Sequence, residues 1–325
     1  MEILFIQGPE KTATSTITGI LNCHPEIFVL FENYLAQPII TKYGNRLLSR
    51  YPEARKFYRT EEDYGKPVRE LFEYLKEREP EYRYRYIGTK VNSLDAGFTQ
   101  KVREHKIIFM MRDLRSWLIK ESIIKYYRTD LDVVVPAVEY LRYILETHLY
   151  THAARIRMED LIQQNEATIG KLSEFLKLEL FPHSAEWWDK IGNWDEKDPK
   201  SVFKLNQVHH SSRMKPEKLD SEVEMTDHPF WEEALELFDT YYFTDEPFRF
   251  NEDKIKKDLV KVDKLLRYSP LPFTDMYKEV HSVRRGFSQP REFHFQSDKG
   301  VYKQERSLKK RLSHRLKKIV KAAID

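Results

Sequence analysis

Cysteine is almost absent: Cys23 is the single one in 325 residues. One thiol excludes an intramolecular disulfide framework and a cysteine-built zinc cage, and it fits a reducing compartment. Glycine is scarce too, 10 residues against 15 prolines, which excludes a collagen-like or linker-dominated chain. No apolar run approaches the roughly 18 residues of a membrane-crossing helix. The opening MEILFIQGP enters an apolar strand with no basic stretch before it, so no signal peptide is expected and the expected location is cytoplasmic. His209-His210 has no partner at metal-ligand spacing and no His-Glu-x-x-His occurs, so no metal is expected.

A large excess of one charge is also missing. The net charge is +3, from 55 Lys and Arg against 52 Asp and Glu. Residues 303–325 alone carry nine basic and two acidic residues, or +7, which leaves −4 for the rest. The basic character therefore belongs to the tail, and a nucleic-acid partner is not expected. Leu308, Leu312, Leu316 and Ile319 fall on one stripe of a basic helix over about 307–322. Such a helix either docks on the body or touches an anionic membrane surface or polymer.

What is present is an alternation of short apolar runs with helical patterns. Ile3–Gln7, Tyr84–Lys90, Lys106–Met111 and Ala154–Met158 read as strands. The first and third are apolar on successive residues, as in a parallel sheet covered on both faces. Helices are expected over Thr14–Cys23, Val68–Arg78, Ser116–Arg128, Pro136–His148, Ala167–Leu176 and Pro229–Tyr242, and after an Asn251 cap. The fold class expected is α/β, a parallel sheet flanked by helices. Residues 1–245 form the expected α/β domain, and 246–325 a mostly helical and irregular extension.

The junction ILFIQ-GPEKTATST-ITGILNCHP carries the strongest functional signal. A buried strand runs through Gly8 into a loop, and Thr14, Ser15 and Thr16 open a helix. Backbone N–H groups at such a turn, with the helix dipole and nearby hydroxyls, make an anion site. Gly8 and Ser15 have Walker A spacing, but the Gly-Lys between them is Ala13-Thr14 and the lysine is at Lys11, which argues against an ATP or GTP hydrolase.

GPEKTATSTITGILNCHPEI resembles the 5′-phosphosulfate loop of the sulfotransferases, most closely the carbohydrate-type branch. KIIFMMRDLRSWL resembles that family's 3′-phosphate segment, and RIRMEDLIQQNEATIGKLSEFLKLEL its Glu-Asp-Leu segment. The three cover roughly residues 1–180 in the family's order. The resemblance implies a P-loop-like fold and 3′-phosphoadenosine 5′-phosphosulfate (PAPS) as donor, with a hydroxyl-bearing acceptor, a glycan among the choices. The chain departs from the pattern at Ala13, where the family has glycine, and at Lys120, where it has the 3′-phosphate serine.

In the implied reaction an acceptor hydroxyl attacks sulfur in line while charge builds on the leaving phosphate oxygen, so positioning and electrostatics supply the catalysis. Lys11 is then the cation at the leaving oxygen. The loop amides from Thr12 through Ala13, Thr14 and Ser15 to Thr16, with the hydroxyls of the last three, hold the 5′-phosphate. Arg112 takes the 3′-phosphate as a planar fork, with Lys120 rather than Ser122 beside it. Arg213 falls where the family has a loop closing over the cofactor. Glu32, in the apolar stretch IFVLFENYL, is the candidate base. The stretch IGTKVNSL offers Lys90 and Asn92 and no histidine, and Lys90 is placed as a second cation beside the sulfuryl group. The alternative is a non-catalytic binding protein on the same scaffold, working through its basic tail.

Overall fold

The structure is a computed structural model. It describes residues 2–31, 42–59, 65–79, 83–92, 96, 105–120, 123, 132–150, 152–180, 229–244 and 250–269. The chain divides into two compact units, Met1–Gln289 and Pro290–Asp325, and all the described residues belong to the first. The basic tail, Glu32, Ser122 and Arg213 lie outside them.

Five strands form one parallel sheet: β1 (Glu2–Gly8), β2 (Ile27–Leu30), β3 (Tyr86–Asn92), β4 (His105–Met111) and β5 (Ala153–Arg157), in the order β2-β3-β1-β4-β5. The helices are α1 (Thr14–Asn22), α2 (Lys42–Arg50), α3 (Gly65–Arg78), α4 (Leu114–Leu118), α5 (Val134–Thr147), α6 (Met158–Gln163), α7 (Asn165–Leu176), α8 (Pro229–Tyr242) and α9 (Glu252–Lys264). Short 3-10 helices span Pro52–Phe57 and Leu265–Tyr268.

Alternation along each strand explains why both faces are covered. Ile3 and Phe5 of β1, with Ile107, Phe109 and Met111 of β4, pack beneath α4, α5, α8 and α9. Leu4 and Ile6, with Ile108 and Met110, pack beneath α1, α6 and α7. Toward the β2 edge, Phe28, Leu30 and Ile87 meet α2, α3 and the 3-10 helix between them. This is the layered α/β fold expected from the apolar runs. α9 starts at the expected cap, where Asn251 Oδ1 accepts from the Lys254 amide at 2.8 Å, and it buries Ile255 and Val262.

Two differences from the sequence expectation stand out. β2 is a strand of four residues, IFVL, which was not among the four strands expected. The helix expected over 116–128 begins at Leu114 and α4 stops at Leu118. Lys120 follows the end of α4, and Ser122 lies outside the described residues.

β1 is central, and its connection leads toward β2 while that of β4 leads to β5 on the other side. The carboxyl ends of β1 and β4 therefore flank a topological switch point, where open α/β sheets bind ligands.

Candidate functional site

The site begins at Gly8, the last residue of β1. A Cβ there would lie 2.7 Å from Thr12 Oγ1 and 2.8 Å from the Met110 carbonyl oxygen, so only glycine lets the loop pass this close to β4. Lys11 and Ala13 then adopt left-handed backbone, with φ of 69° and 66°. Left-handed turns of this kind bring N–H groups to one side and make anion-binding concavities. The first helical bond of α1 runs from the Ile17 amide to the Ala13 carbonyl at 3.1 Å. The amides of Thr14, Ser15 and Thr16 therefore have no carbonyl one turn earlier to bond. Ala13 provides no side-chain cap, and the first turn of α1 holds no acid that would compete with an anion.

The loop's carbonyls are engaged on their own side. Pro9 accepts from Thr12 Oγ1 at 2.8 Å, Glu10 from Trp117 Nε1 at 2.8 Å and Lys11 from Arg112 Nη1 at 3.2 Å. The Lys11 side chain is exposed and pairs with no acid among the described residues.

Lys90 of β3 is 2% exposed, and its Nζ donates to Ser15 Oγ at 2.9 Å. Asn92, paired with Gly8 across the sheet, accepts from Thr14 Oγ1 at 3.3 Å. Arg112, just beyond β4, is 4% exposed; besides Lys11 it binds Ser116 Oγ through Nε at 2.9 Å. Burial lowers the Arg112 pKa and the Glu159 carboxylate opposes that, but a guanidinium stays charged at any physiological pH. Glu159 itself accepts from the Asp113 amide at 3.1 Å and from the Tyr242 hydroxyl.

A rack of aromatics stands behind these groups. Trp117 stacks on Tyr140 with ring centroids 4.5 Å apart. The Tyr140 hydroxyl accepts from the Arg112 amide and donates to the Arg112 carbonyl, both at 2.7 Å. The Tyr143 hydroxyl shares its proton between the Gln7 and Met110 carbonyls, each at 3.1 Å, tying the ends of β1 and β4 together. Burial pushes both phenols well above their usual pKa, so they remain neutral.

The structure thus brings Lys11, Thr12, Ala13, Thr14, Ser15, Thr16, Lys90 and Arg112 to one end of the sheet. Thr12 turns its hydroxyl into the loop and not toward a ligand. Lys120 is described, half-buried beyond α4, with its amide on the Trp117 carbonyl at 3.2 Å. Residues Trp117, Tyr140, Tyr143 and Glu159 were not found from the sequence. Their roles depend on contacts across as many as 136 positions, as for Tyr143 and Gln7, and no local spacing signals them. Among the described residues no group of three or more His, Cys, Asp or Glu could hold a metal.

No protein-family model matches the sequence, and no curated protein matches it. Solved structures do. A sulfotransferase domain from the olefin synthase of Synechococcus PCC 7002 superposes with a TM-score of 0.51 at 15% identity, over 75% of this chain and 95% of that one. The chain has the sulfotransferase fold. A sulfotransferase domain from the curacin biosynthetic pathway is similar at a TM-score of 0.49 and 13% identity, over 75% of this chain and 99% of that one. Retinol dehydratase, solved with androsterone and the inactive cofactor PAP, reaches a TM-score of 0.35 at 13% identity, over 84% of this chain and 83% of that one. On this fold the loop after β1 and the arginine after β4 occupy the switch point described above.

Proposed function

We propose that the chain is a sulfotransferase that uses PAPS and acts on a hydroxyl of a glycan or another acceptor. The observation that carries this reading is the Gly8–Thr16 loop, lined with amides and flanked by Lys90 and Arg112, at the switch point of a sulfotransferase fold. The donor set fits a phosphosulfate: N–H groups, hydroxyls and two buried cations, with no acid in the first helical turn. When bound, PAPS supplies a sulfuryl group carried on a 5′-phosphate.

The chain's own residues divide the work. The amides from Thr12 to Thr16 and the Ser15 hydroxyl hold the 5′-phosphate end. Arg112 takes the 3′-phosphate, and its bond to Lys11 O links that grip to the loop. Lys11, exposed at the loop apex, neutralises charge on the leaving oxygen. Lys90 fixes Ser15 and adds a second positive charge from below. A general base must take the acceptor's proton, and Glu32, which follows directly on the buried Leu30 and Phe31 at the end of β2, is the candidate.

Calorimetric titration with 3′,5′-adenosine bisphosphate is the first test, followed by transfer from radiolabelled PAPS to a panel of hydroxyl acceptors including glycans. Binding that raises the melting temperature is the expected result; a ligand at a hundred times its Kd stabilises the fold by about 2.7 kcal/mol. No binding at millimolar nucleotide overturns the reading.

A further inference from the structure

We propose that Trp117 is a positioning residue for the anion loop: its indole N–H, by holding the Glu10 carbonyl, sets the direction in which the loop's amides face. The inference rests on the sulfotransferase reading for the identity of the anion, but not for the mechanical role.

A peptide unit has two ends. A carbonyl pinned to one side of a loop commits the N–H of the next residue to the opposite side, because the peptide is planar and trans. Glu10 and Lys11 both have their carbonyls pinned from the β4–α4 side, by Trp117 Nε1 and by Arg112 Nη1. The N–H groups of Lys11 and Thr12 are thereby committed away from α4. The two left-handed residues, Lys11 and Ala13, are the backbone's response to that constraint. A non-glycine left-handed residue persists only where its surroundings hold it.

Trp117 is suited to hold it. It is fully buried, and its ring lies stacked on Tyr140 at an interplanar angle of 23°. Tyr140 in turn grips both backbone polar groups of Arg112. The two anchors of the loop, Trp117 and Arg112, are therefore fixed to one ring on α5. A ligand with an anion on the loop and a second anion on Arg112 meets a single rigid unit and not two independent sites.

Trp117→Phe tests this, since phenylalanine keeps an aromatic ring against Tyr140 and removes the indole donor together with part of the ring's volume. Two measurements are read. In the absence of nucleotide, hydrogen exchange at the Lys11–Thr14 amides is expected to accelerate relative to wild type; unchanged exchange overturns the proposal whatever the protein binds. In titrations, 3′,5′-adenosine bisphosphate is expected to weaken by roughly fivefold to a hundredfold, the effect of taking the indole donor from the half-buried Glu10 carbonyl. Adenosine 3′-monophosphate, which lacks the group that the loop holds, is expected to bind within twofold of wild type. Equal weakening of both nucleotides shows a merely structural tryptophan and overturns the proposal. Wild-type protein that binds neither nucleotide overturns the sulfotransferase reading, and the exchange measurement then decides the positioning role alone. If Trp117→Phe fails to fold, the indole of the wild-type protein is read instead: hydrogen exchange at Trp117 Nε1 is expected to be slow and to quicken together with the Lys11–Thr14 amides as urea loosens the loop, and an indole N–H that exchanges independently of those amides overturns the proposal.

Discussion

Ala13 stands at a backbone position where an L-residue is disfavoured, with φ at 66° and the N-cap of α1 to form. Left-handed backbone costs a residue with a Cβ about 1–2 kcal/mol, and glycine escapes that cost while losing about 0.5–1 kcal/mol to its greater unfolded freedom. Ala13→Gly is therefore expected to leave stability unchanged or raise it by up to about 1 kcal/mol, read by chemical denaturation, with nucleotide affinity retained. Lys11, also left-handed, is proposed to act on charge at the leaving oxygen. Lys11→Ala should then lower kcat by more than tenfold while the Kd for 3′,5′-adenosine bisphosphate changes little. A near-normal turnover removes Lys11 from the mechanism. These residues were legible because they share one strand–loop–helix signature, in which Gly8, Lys11 and the Thr14–Thr16 hydroxyls follow an apolar run. Lys90 was singled out by comparison with the family's strand at that place, and its bond to Ser15 Oγ puts it beside the loop. The partners that orient them were not, since Trp117 is 107 positions from Glu10 and only the folded chain brings the two together.

At the level of elements, the His-Pro after α1 proves to be a turn device. His24 Nδ1 accepts from the Glu26 amide at 3.1 Å and the chain reverses into β2. β2 escaped the pattern because four apolar residues are too few to separate a strand from a loop by periodicity. Its position is set by Asn22, the last residue of α1. The Asn22 Nδ2 donates to the Val29 carbonyl at 2.8 Å, and Oδ1 accepts from the Val29 amide at 2.7 Å. Asn22→Ala leaves two buried backbone groups without these partners, and a loss of about 2–4 kcal/mol is expected by urea denaturation. α4 was overextended from the sequence for the opposite reason. The apolar spacing after Ser116 continues, while the Asp113 cap, which accepts from the Ser116 amide at 3.2 Å, sets the start of the helix, and the Lys120 amide on the Trp117 carbonyl closes its last turn after Leu118.

For the molecule as a whole, the layered α/β architecture with a parallel sheet follows from apolar runs that alternate with helices, and that much was readable; the strand order was not, since it depends on crossovers and on β2. The polar contacts that join α5 to α8 and α8 to α9 were not readable either, because they link buried groups far apart in the chain. His148 sits at the end of α5, with Nε2 on the Tyr241 carbonyl at 3.0 Å, and burial, with Arg155 nearby, lowers its pKa to about 4. The folded state thus resists protonation that the unfolded chain accepts near pH 6.5. Stability from this group is complete above about pH 6.5 and is lost as pH falls toward about 4, by at most roughly 3 kcal/mol. Asp258 behaves in the same direction lower down. Burial alone would raise its pKa, but bonds from Lys254, Lys261 and Tyr241 outweigh that and hold it at about 2. Its contribution therefore fades between about pH 4 and about pH 2. Melting temperatures measured from pH 8 to pH 3 should fall through the first window in the wild type, and His148→Gln should flatten that window. An unchanged slope in the variant assigns the loss to other groups.

The Asn22 amide also has a consequence between molecules. Among the described residues β2 ends the sheet, and an open strand at such a place presents unpaired N–H and C=O groups to any other chain in solution, which is how strands recruit strangers into aggregates. Val29 offers neither group, because the side chain of the preceding helix already satisfies both. One polar residue therefore closes, at that rung, the border of the sheet that would otherwise template growth, and light scattering by concentrated Asn22→Ala protein should rise before the protein unfolds.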